Sequence, residues 1–361
     1  MDIRKLNYIA HTQVGFEHIV AEQLRQEFDG VKVTGTRTIS DKNGMVMFTY
    51  DGDVQDLLQL RTIEDLFVQV LLRNDIPPVY AGLKMLTSSI TNLPIEEAFA
   101  LARTLTPGRG GRGKVRYRVV SRLAAEASYR RIDLQEAVEK AMRARKDHKW
   151  EHADEHALEF WVTALPDEIF LALRVTDAKM RRHDEKRAQI PASLRPSAAA
   201  ALIWLSRPRP TDIFLDPMCG AGTLLIERGE AGRYKQLYAG DIRAEAVEAT
   251  LINIGSRYQP VTVHEWDAQH MPLEDGSVTN VAVNLPFGRQ IGSLEDNRSL
   301  YPGFLRELAR VMRPAGRFVA MTGDTRNFER SLDRNKEFTP LQSYDVMILG
   351  RGARVYVIER K

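Results

Sequence analysis

Four consecutive residues, Asn284-Leu285-Pro286-Phe287, have the chemistry needed to activate an aromatic amine. Such an amine is a poor nucleophile because its lone pair is delocalised into the ring. The side-chain oxygen of Asn284 and the carbonyl of Leu285 can accept both amine hydrogens, which favours a pyramidal nitrogen with its lone pair directed at a methyl donor. Pro286 fixes the backbone and removes a competing N–H, and Phe287 can stack on an extruded base. Positioning and electrostatics should dominate this reaction, since the amine becomes acidic only after the transfer.

A second segment, residues 216–222 (sequence DPMCGAG), follows a predicted buried strand and opens a predicted helix. Gly220 and Gly222 let the backbone pass close to a ligand where a Cβ would collide. A pair of glycines at this spacing also occurs in dinucleotide sites, but no third glycine stands in that register. An acidic residue at the strand end, Asp216, suits a positively charged ligand better than a pyrophosphate.

Two further carboxylates end the next predicted strands. Asp241 closes one strand, where it can accept both hydroxyls of a ribose, and Asp267 follows the next, where it can take an amino hydrogen from an adenine. Either residue alone is more often an ordinary polar strand terminus. Three acidic strand ends in succession at one sheet edge favour a nucleoside site.

The elements that must position these residues alternate from residue 212 onward. Strands are predicted at 212–216, 236–241, 261–266, 278–285, 317–322, 344–349 and 355–359, with helices between most of them. This pattern predicts a seven-stranded, mostly parallel sheet with ligands at the carboxyl ends of its strands. The last two strands are joined by a short connection with the turn Gly350-Arg351-Gly352, so they should be antiparallel neighbours.

The first half of the chain has a different organisation. Residues 1–60 show the short strands and helices of a small α+β, ferredoxin-like module. Residues 101–150 carry 14 basic and 5 acidic side chains, against 9 and 14 in residues 1–100. The basic block contains a predicted strand at 114–120 and a predicted helix at 133–144 with Asp133 as its N-cap. It can gather a polyanion or simply form a solvated face, and composition leaves both open.

Length and composition exclude several classes of protein. A chain of 361 residues predicts two or three domains, and no apolar run is long enough for a membrane span. The N-terminus lacks a signal-peptide pattern, so we expect a cytoplasmic protein. The single cysteine, Cys219, excludes an internal disulfide, and its place in the glycine loop favours packing over nucleophilic catalysis. The 8 histidines show no metal-ligand spacing, and no metal is predicted.

With these motifs, the C-terminal half resembles class I S-adenosylmethionine-dependent methyltransferases, and residues 284–287 match the [Asp/Asn/Ser]-x-Pro-[Phe/Tyr/Trp] motif of enzymes that methylate exocyclic amines. The segment 193–200, just before the first strand, resembles the helix that closes over the methionine end of the donor. The resemblance implies a Rossmann-like α/β fold and S-adenosylmethionine as cofactor. The residues it implies for the donor are Arg195, Pro196, Ser197, Asp216, Met218, Cys219, Gly220, Gly222, Thr223, Asp241, Ile242, Asp267, Ala268 and Asn284, with Asn284, Leu285, Pro286 and Phe287 as the catalytic motif.

The basic block, with the segments 117–122 and 129–138, resembles a THUMP domain. This pairing is similar to the tRNA guanine-N2 methyltransferases that act on the acceptor stem. It implies an accessory module at 1–64, a THUMP RNA-binding domain at 65–178, a linker at 179–192 and a methyltransferase domain at 193–361. Candidate RNA contacts are Arg118, Arg122, Arg130, Arg131, Lys140, Arg143 and, directly after the motif, Arg289.

Two alternatives stay open. One is an amino-methyltransferase of ribosomal RNA or DNA that uses the same motif, and the other is an RNA-binding protein with an inactive methyltransferase domain. The tRNA enzyme is favoured, with tRNA as its partner and a monomer as its expected state. The target nucleotide and the number of methyl groups added are not predicted.

Overall fold

A computed structural model describes residues 6–39, 43–109, 113–155, 157–183, 187–191, 193–288 and 293–361. By its contacts the chain divides into two compact units. Unit 1 comprises Met1–Thr12 with Ala21–Arg181, and unit 2 comprises Gln13–Val20 with Arg182–Lys361. No helix in these described ranges is both long and apolar enough to cross a membrane.

Unit 1 contains an eight-stranded sheet with the strand order β2-β3-β1-β4-β8-β7-β5-β6. The elements of this part of the chain are β1 (Leu6–Thr12), α1 (Glu17–Glu27), β2 (Lys32–Ile39), β3 (Asn43–Tyr50), α2 (Val54–Leu57), β4 (Asp65–Arg73), α3 (Tyr80–Thr91), α4 (Glu96–Leu105), β5 (Val115–Leu123), α5 (Arg131–Ala144), β6 (Trp150–His152), β7 (Leu158–Ala164), β8 (Ile169–Arg174) and α6 (Ala178–Arg182). Because β4 pairs with both β1 and β8, strands on either side of the predicted boundary at residue 64 share one sheet. The boundary itself stays a prediction.

The basic strand and helix of unit 1 form close to their predicted positions. In β5, Val115, Tyr117 and Val119 are buried and alternate with more exposed cationic residues, as a half-buried strand requires. The predicted N-cap of the following helix is wrong. The helix α5 begins at Arg131, and the carboxylate of Asp133, in its first turn, accepts a hydrogen bond from the backbone N–H of Arg130 at 2.7 Å.

Unit 2 contains a seven-stranded sheet with the order β11-β10-β9-β12-β13-β15-β14. Its elements are α7 (Pro196–Leu205), β9 (Ile213–Asp216), α8 (Thr223–Glu230), β10 (Gln236–Asp241), α9 (Ala244–Ile254), β11 (Val261–Glu265), β12 (Val278–Asn284), α10 (Leu294–Val311), β13 (Met312–Thr322), α11 (Thr325–Arg334), β14 (Phe338–Ile348) and β15 (Arg351–Arg360). Only β15 runs antiparallel to its neighbours, β13 and β14. The predicted mostly parallel sheet with an antiparallel last strand is therefore confirmed.

Both faces of the central strands are covered, which explains why β9 and β12 are mostly apolar. Adjacent residues of β9 point to opposite faces: Phe214 joins a core cluster with α7 and α8, and Leu215 joins another with α10 and α11. The turn between the last two strands is shorter than predicted. Ile348 pairs with Arg351, so Leu349 and Gly350 alone connect β14 to β15.

Candidate active site

A cavity of about 570 Å³ in unit 2 lies at the carboxyl ends of the parallel strands. Asp216, Asp241 and Asn284 end β9, β10 and β12, and all three side chains belong to residues that line it. Other lining residues follow β11 or belong to the segment before α7, to α10 and to the last hairpin: Ile190, Pro191, Leu194, Arg195, Asp267, Ala268, Gln269, Asp296, Asn297, Ser299, Ile348, Leu349 and Arg351.

The glycine loop is held by hydrogen bonds from the neighbouring helix and strand. Gly220 has φ +53°, its N–H donates to Oδ2 of Asp241 at 3.0 Å, and its carbonyl accepts from Oγ1 of Thr250 at 2.8 Å. Asn253 donates to the Ala221 carbonyl at 2.9 Å. The loop backbone therefore faces the cavity in a fixed conformation, through Thr250 and Asn253, which sequence reasoning missed.

The two glycines of this loop have different roles. A Cβ on Gly220 would meet only Ile190 at 3.7 Å, on the cavity side. Gly222, at φ +77°, is the N-cap of α8, and a Cβ there would lie 3.0 Å from Cγ2 of Thr250. Gly222 is not among the lining residues, so it serves the turn and the packing of α8 rather than the close approach to a ligand that its sequence predicted.

Asp216 is a buried carboxylate with an unsatisfied oxygen. It is 1% exposed, and its Oδ1 accepts no hydrogen bond from the described residues. Burial raises the pKa of Asp216 well above its usual value, and the nearby negative charge of Asp241 adds to the rise. A cationic ligand would relieve both costs, so this end of the cavity fits a positively charged group.

The next two strand ends present further carboxylates to the cavity. Asp241 accepts hydrogen bonds from the backbone N–H groups of Gly220 and Arg243, and its Oδ1 lies 3.3 Å from Nε of Arg243. Asp267 accepts from the N–H of Gln269 at 2.9 Å. Between them Ile242 lines the cavity with a side chain that is 67% exposed, an apolar surface on which a flat ring can rest.

The motif 284–287 continues directly from β12, and all four of its residues line the cavity. The N–H of Leu285 donates to the carbonyl of Met321 at 2.9 Å, which extends the pairing with β13 by one residue. The buried Oδ1 of Asn284 accepts no hydrogen bond from the described residues. An acceptor without a donor in a cavity wall fits a ligand that brings an N–H.

A hydrogen-bond network beneath the motif fixes Pro286. Its carbonyl accepts from the hydroxyl of Tyr301 at 2.6 Å and from Nδ2 of Asn297 at 3.2 Å, one turn apart on α10. Oγ1 of Thr322 lies 2.9 Å from the Tyr301 oxygen and accepts from the N–H of Asp324 at 3.0 Å. Since Tyr301 donates its one hydrogen to Pro286, Thr322 must donate to Tyr301. The hydrogen bonds therefore run in one direction, from Thr322 at the end of β13 to Tyr301 and from Tyr301 to the carbonyl of Pro286.

These supporting residues could have been found in part from the sequence. Thr322 and Asp324 follow the same rule as the predicted carboxylates, because they lie at the carboxyl end of the next strand, β13. Nothing in the sequence marks Tyr301, which is fully buried among apolar side chains of α10.

Cys219 packs beneath the glycine loop. Its side chain is buried, its Sγ lies 3.4 Å from Oγ1 of Thr250, and burial raises the pKa of its thiol. A thiol that stays protonated is a poor nucleophile. Among the described residues no three His, Cys, Asp or Glu side chains are grouped so that they could hold a metal ion.

The structure brings most of the predicted donor-site residues to one cavity. Pro196 and Ser197 are not among the lining residues; Pro196 begins α7, and Ser197 accepts a hydrogen bond from Gln13 at 3.2 Å. Gln13 itself lines the cavity and was missed. The lining residues that were predicted are Arg195, Asp216, Met218, Cys219, Gly220, Thr223, Asp241, Ile242, Asp267, Ala268, Asn284, Leu285, Pro286 and Phe287.

The predicted RNA contacts in unit 1 fall into two groups. Arg118 pairs with Glu159 at 2.7 Å, and Arg122 lies over the Trp161 ring at 4.5 Å and donates to Asn43, so both are engaged within the sheet. Four others lie on or next to α5 with exposed side chains: Arg130, Arg131, Lys140 and Arg143. Arg289 lies outside the described residues.

Comparison with known proteins bears on this geometry. Residues 183–352 match the family model described as UPF0020, RMKL-like, methyltransferase domain. Class I methyltransferases take their methyl group from S-adenosylmethionine, so that compound is the cofactor of the domain, and the unsatisfied Asp216 and the fixed glycine loop fit it.

Relatives and solved structures extend the likeness beyond this domain. A curated relative from Mus musculus named tRNA (guanine(6)-N(2))-methyltransferase THUMP3 is 32% identical over 209 residues, 54% of this chain and 41% of that protein. This chain therefore covers about two fifths of the length of that relative. A tRNA (guanine(6)-N2)-methyltransferase from Methanocaldococcus jannaschii is 23% identical over 98% of this chain and 100% of that one.

The fold has close counterparts among solved structures. The crystal structure of TrmN from Thermus thermophilus superposes with a TM-score of 0.78 at 23% identity, covering 99% of this chain and 100% of the other. A putative methyltransferase solved with SAH, SMU.472, has a TM-score of 0.69 at 18% identity, over 99% of each chain. At these identities the likeness shows the fold, which is that of a class I methyltransferase with an N-terminal α+β region.

Proposed function

We propose that this protein transfers a methyl group from S-adenosylmethionine to the exocyclic N2 of a guanosine in the acceptor stem of tRNA, at the position 6 named for its relatives. The observation that carries the proposal is that the motif 284–287 and residues 216–221 of the glycine loop line the same cavity. An amine held by the motif and a donor held by the loop would therefore meet in one enclosed space.

The proposed chemistry depends on acceptors rather than on a base. When bound, S-adenosylmethionine supplies a methyl group made electrophilic by the adjacent sulfonium charge. The amide oxygen of Asn284 and the carbonyl of Leu285 accept the two hydrogens of the guanine amine, which frees its lone pair from the ring. Pro286, fixed by Tyr301 and Asn297, keeps both acceptors in place, and Phe287 stacks on the base.

The donor is held, on this proposal, by the strand ends. Asp216 balances positive charge, Asp241 accepts the ribose hydroxyls, Asp267 takes the adenine amine, and Ile242 covers one face of the ring. The fixed glycine loop lets the donor approach the backbone at Gly220. These roles follow from the chemistry of each side chain and its place in the cavity wall.

RNA recognition is proposed for unit 1. We assign residues 65–178 to a THUMP domain that holds the acceptor end of tRNA, next to an accessory module at 1–64, with 179–192 as the linker and 193–361 as the methyltransferase domain. Arg130 and Arg143 have ion-pair partners within or next to α5, Asp133 and Glu139, but their side chains are 79% and 57% exposed. They support phosphate binding better than Arg118, which pairs with the buried Glu159, or Arg122, which lies over Trp161. A cytoplasmic monomer acting on free tRNA completes the proposal.

Incubation with bulk unmodified tRNA and labelled donor, followed by nucleoside analysis and mapping, tests the proposal. We expect N2-methylguanosine at position 6 of the acceptor stem. Label in ribosomal RNA or DNA in place of tRNA would favour the other amino-methyltransferase. Absence of donor binding by calorimetry would favour an inactive RNA-binding protein.

A further inference from the structure

The tip of the last hairpin carries an unusual residue. Leu349 and Gly350 form the two-residue turn between β14 and β15, with φ of +50° and +75°. Tight hairpins of this kind require positive φ at both positions and favour Asn, Asp or Gly there. Leu349 is strained by this conformation and is 66% exposed, so its own packing does not explain it.

The hairpin below this tip is rigid. The N–H of Met347 donates to the carbonyl of Val14 at 2.9 Å, and Ile348 packs against the core cluster of α7 and α8. A Cβ on Gly15 would lie 2.4 Å from Cα of Val346, which shows how closely the two segments approach. The strained leucine is therefore presented on a fixed support rather than on a loose loop.

The tip also belongs to the active site. Ile348, Leu349 and Arg351 line the same cavity as Asn284 and Phe287. Arg351 is exposed, and no ion pair joins it to any residue of the described ranges. An apolar side chain and an unpaired cation at the cavity edge match the two parts of a nucleic acid strand, its stacked bases and its phosphates.

The proposed reaction requires such a feature. In a guanosine–cytidine pair, one hydrogen of the guanine amine is already donated to cytosine, yet the motif needs both. The base must therefore leave its pair, and this leaves a gap in the stack. Apolar side chains commonly fill such gaps between bases.

We propose that Leu349 enters the stack in place of the extruded guanosine, while Arg351 contacts the adjoining phosphate. This inference rests on the proposed function. Leu349 thereby stabilises the open form of the substrate and does not touch the reacting atoms.

The test compares Leu349→Asn with the wild type on two tRNA transcripts. In one, the target guanosine is paired with cytidine; in the other, it faces an abasic residue, so that no pair must open. Asparagine suits the positive φ, so the variant should fold, with a melting temperature no lower than that of the wild type. Leu341→Asn is the matched control, because Leu341 is an exposed leucine of β14 that does not line the cavity.

We expect Leu349→Asn to lower the ratio of kcat/KM on the paired transcript to that on the unpaired one by about tenfold. Leu341→Asn should leave this ratio at the wild-type value. A transcript with 2-aminopurine at the target position gives a second readout: its fluorescence should rise on binding to the wild type and to Leu341→Asn, and much less with Leu349→Asn.

An equal loss on both transcripts, or an unchanged ratio together with an unchanged fluorescence rise, would overturn the role of Leu349. If the wild type methylates neither transcript, the proposed function fails instead, and this inference with it. Normal methylation of both by the wild type, with no effect of Leu349→Asn, would leave the function standing and refute only the inference.

Discussion

Removal of one hydroxyl group, by Tyr301→Phe, should uncouple donor binding from turnover. This hydroxyl donates to the carbonyl of Pro286 at 2.6 Å and lies 2.9 Å from Oγ1 of Thr322, and the Tyr301 side chain is fully buried. Its loss leaves the Thr322 hydroxyl hydrogen unsatisfied and leaves Pro286 with the longer bond from Asn297 alone.

The magnitude follows from these two losses. An unsatisfied buried polar group costs about 1–3 kcal/mol, so we expect the free energy of unfolding to fall by about 2 kcal/mol. For a unit of this size that lowers the melting temperature by about 4–8 °C. A small shift of Pro286 misplaces the two acceptors before it, and a displacement of about 1 Å can reduce the rate by about 100-fold.

The assay pairs single-turnover methylation of tRNA with calorimetry of donor binding. We expect turnover to fall by about 10- to 100-fold while the Kd for the donor changes by less than about twofold, because Tyr301 contacts none of the donor-loop residues. Tyr356→Phe is the matched control. Its side chain is also buried and its hydroxyl donates to Glu329 at 2.8 Å, but it does not contact the motif. Equal turnover in the two variants would refute the role of the network.

Two further predictions concern the charged groups. Burial, and after it the negative charge of Asp241, raises the pKa of Asp216 above the usual value of 3.8. The protonated carboxyl therefore contributes to the stability of the free protein at low pH, and this contribution is lost as the pH rises above that value. A cationic donor should instead bind more tightly as the carboxyl ionises. Calorimetry in buffers of different ionisation enthalpy should therefore detect proton release on donor binding. Asp216→Asn should abolish this release, and an equal release in the variant would contradict the role of Asp216. Replacement of the four cations on or next to α5 by glutamine should weaken tRNA binding. Filter binding between low and moderate salt should show a smaller slope of log binding constant against log salt, by the equivalent of up to about four phosphate contacts. An unchanged slope would place RNA recognition elsewhere. These cations are Arg130, Arg131, Lys140 and Arg143.

The methyltransferase fold could be predicted from the sequence because its central strands are buried on both faces. The strand β10 lies at the predicted residues 236–241, and each of the other predicted strands is present with shifted ends. The N-terminal ends of β13, β14 and β15 were placed too far inside. In β14 and β15 many of the missed residues are polar and exposed at the edge of the sheet, where apolar periodicity gives no signal. In β13 the missed segment 312–316 contains Pro314 and Gly316, which break the apolar pattern.

The candidate site was predictable where its residues follow strands. Asp216, Asp241 and Asn284 were identified because strand ends of a parallel sheet meet at one edge. The hydrogen bonds of Tyr301 and Thr250 were not predicted. Each hydroxyl donates to the backbone carbonyl of a residue far away in the sequence, and every residue type has such a carbonyl.

The basic cluster shows the limit of reasoning from charge. Six of its predicted contacts lie in the described chain, but Arg118 and Arg122 meet Glu159 and Trp161 across the sheet. These partners come from β7, so no local pattern could reveal them. Composition indicates where the basic block lies in the sequence, but it does not show which of its cations contact other side chains in the folded protein.

Substitution of Asn284 tests the central claim most directly, because its amide oxygen is proposed to accept a hydrogen of the target amine. Turnover on unmodified tRNA and the Kd for the donor are measured together for Asn284→Ala and Asn284→Asp. We expect no detectable turnover for Asn284→Ala with a nearly unchanged Kd, and partial turnover for Asn284→Asp, since a carboxylate also accepts the amine hydrogens. Wild-type turnover in Asn284→Ala would contradict the account.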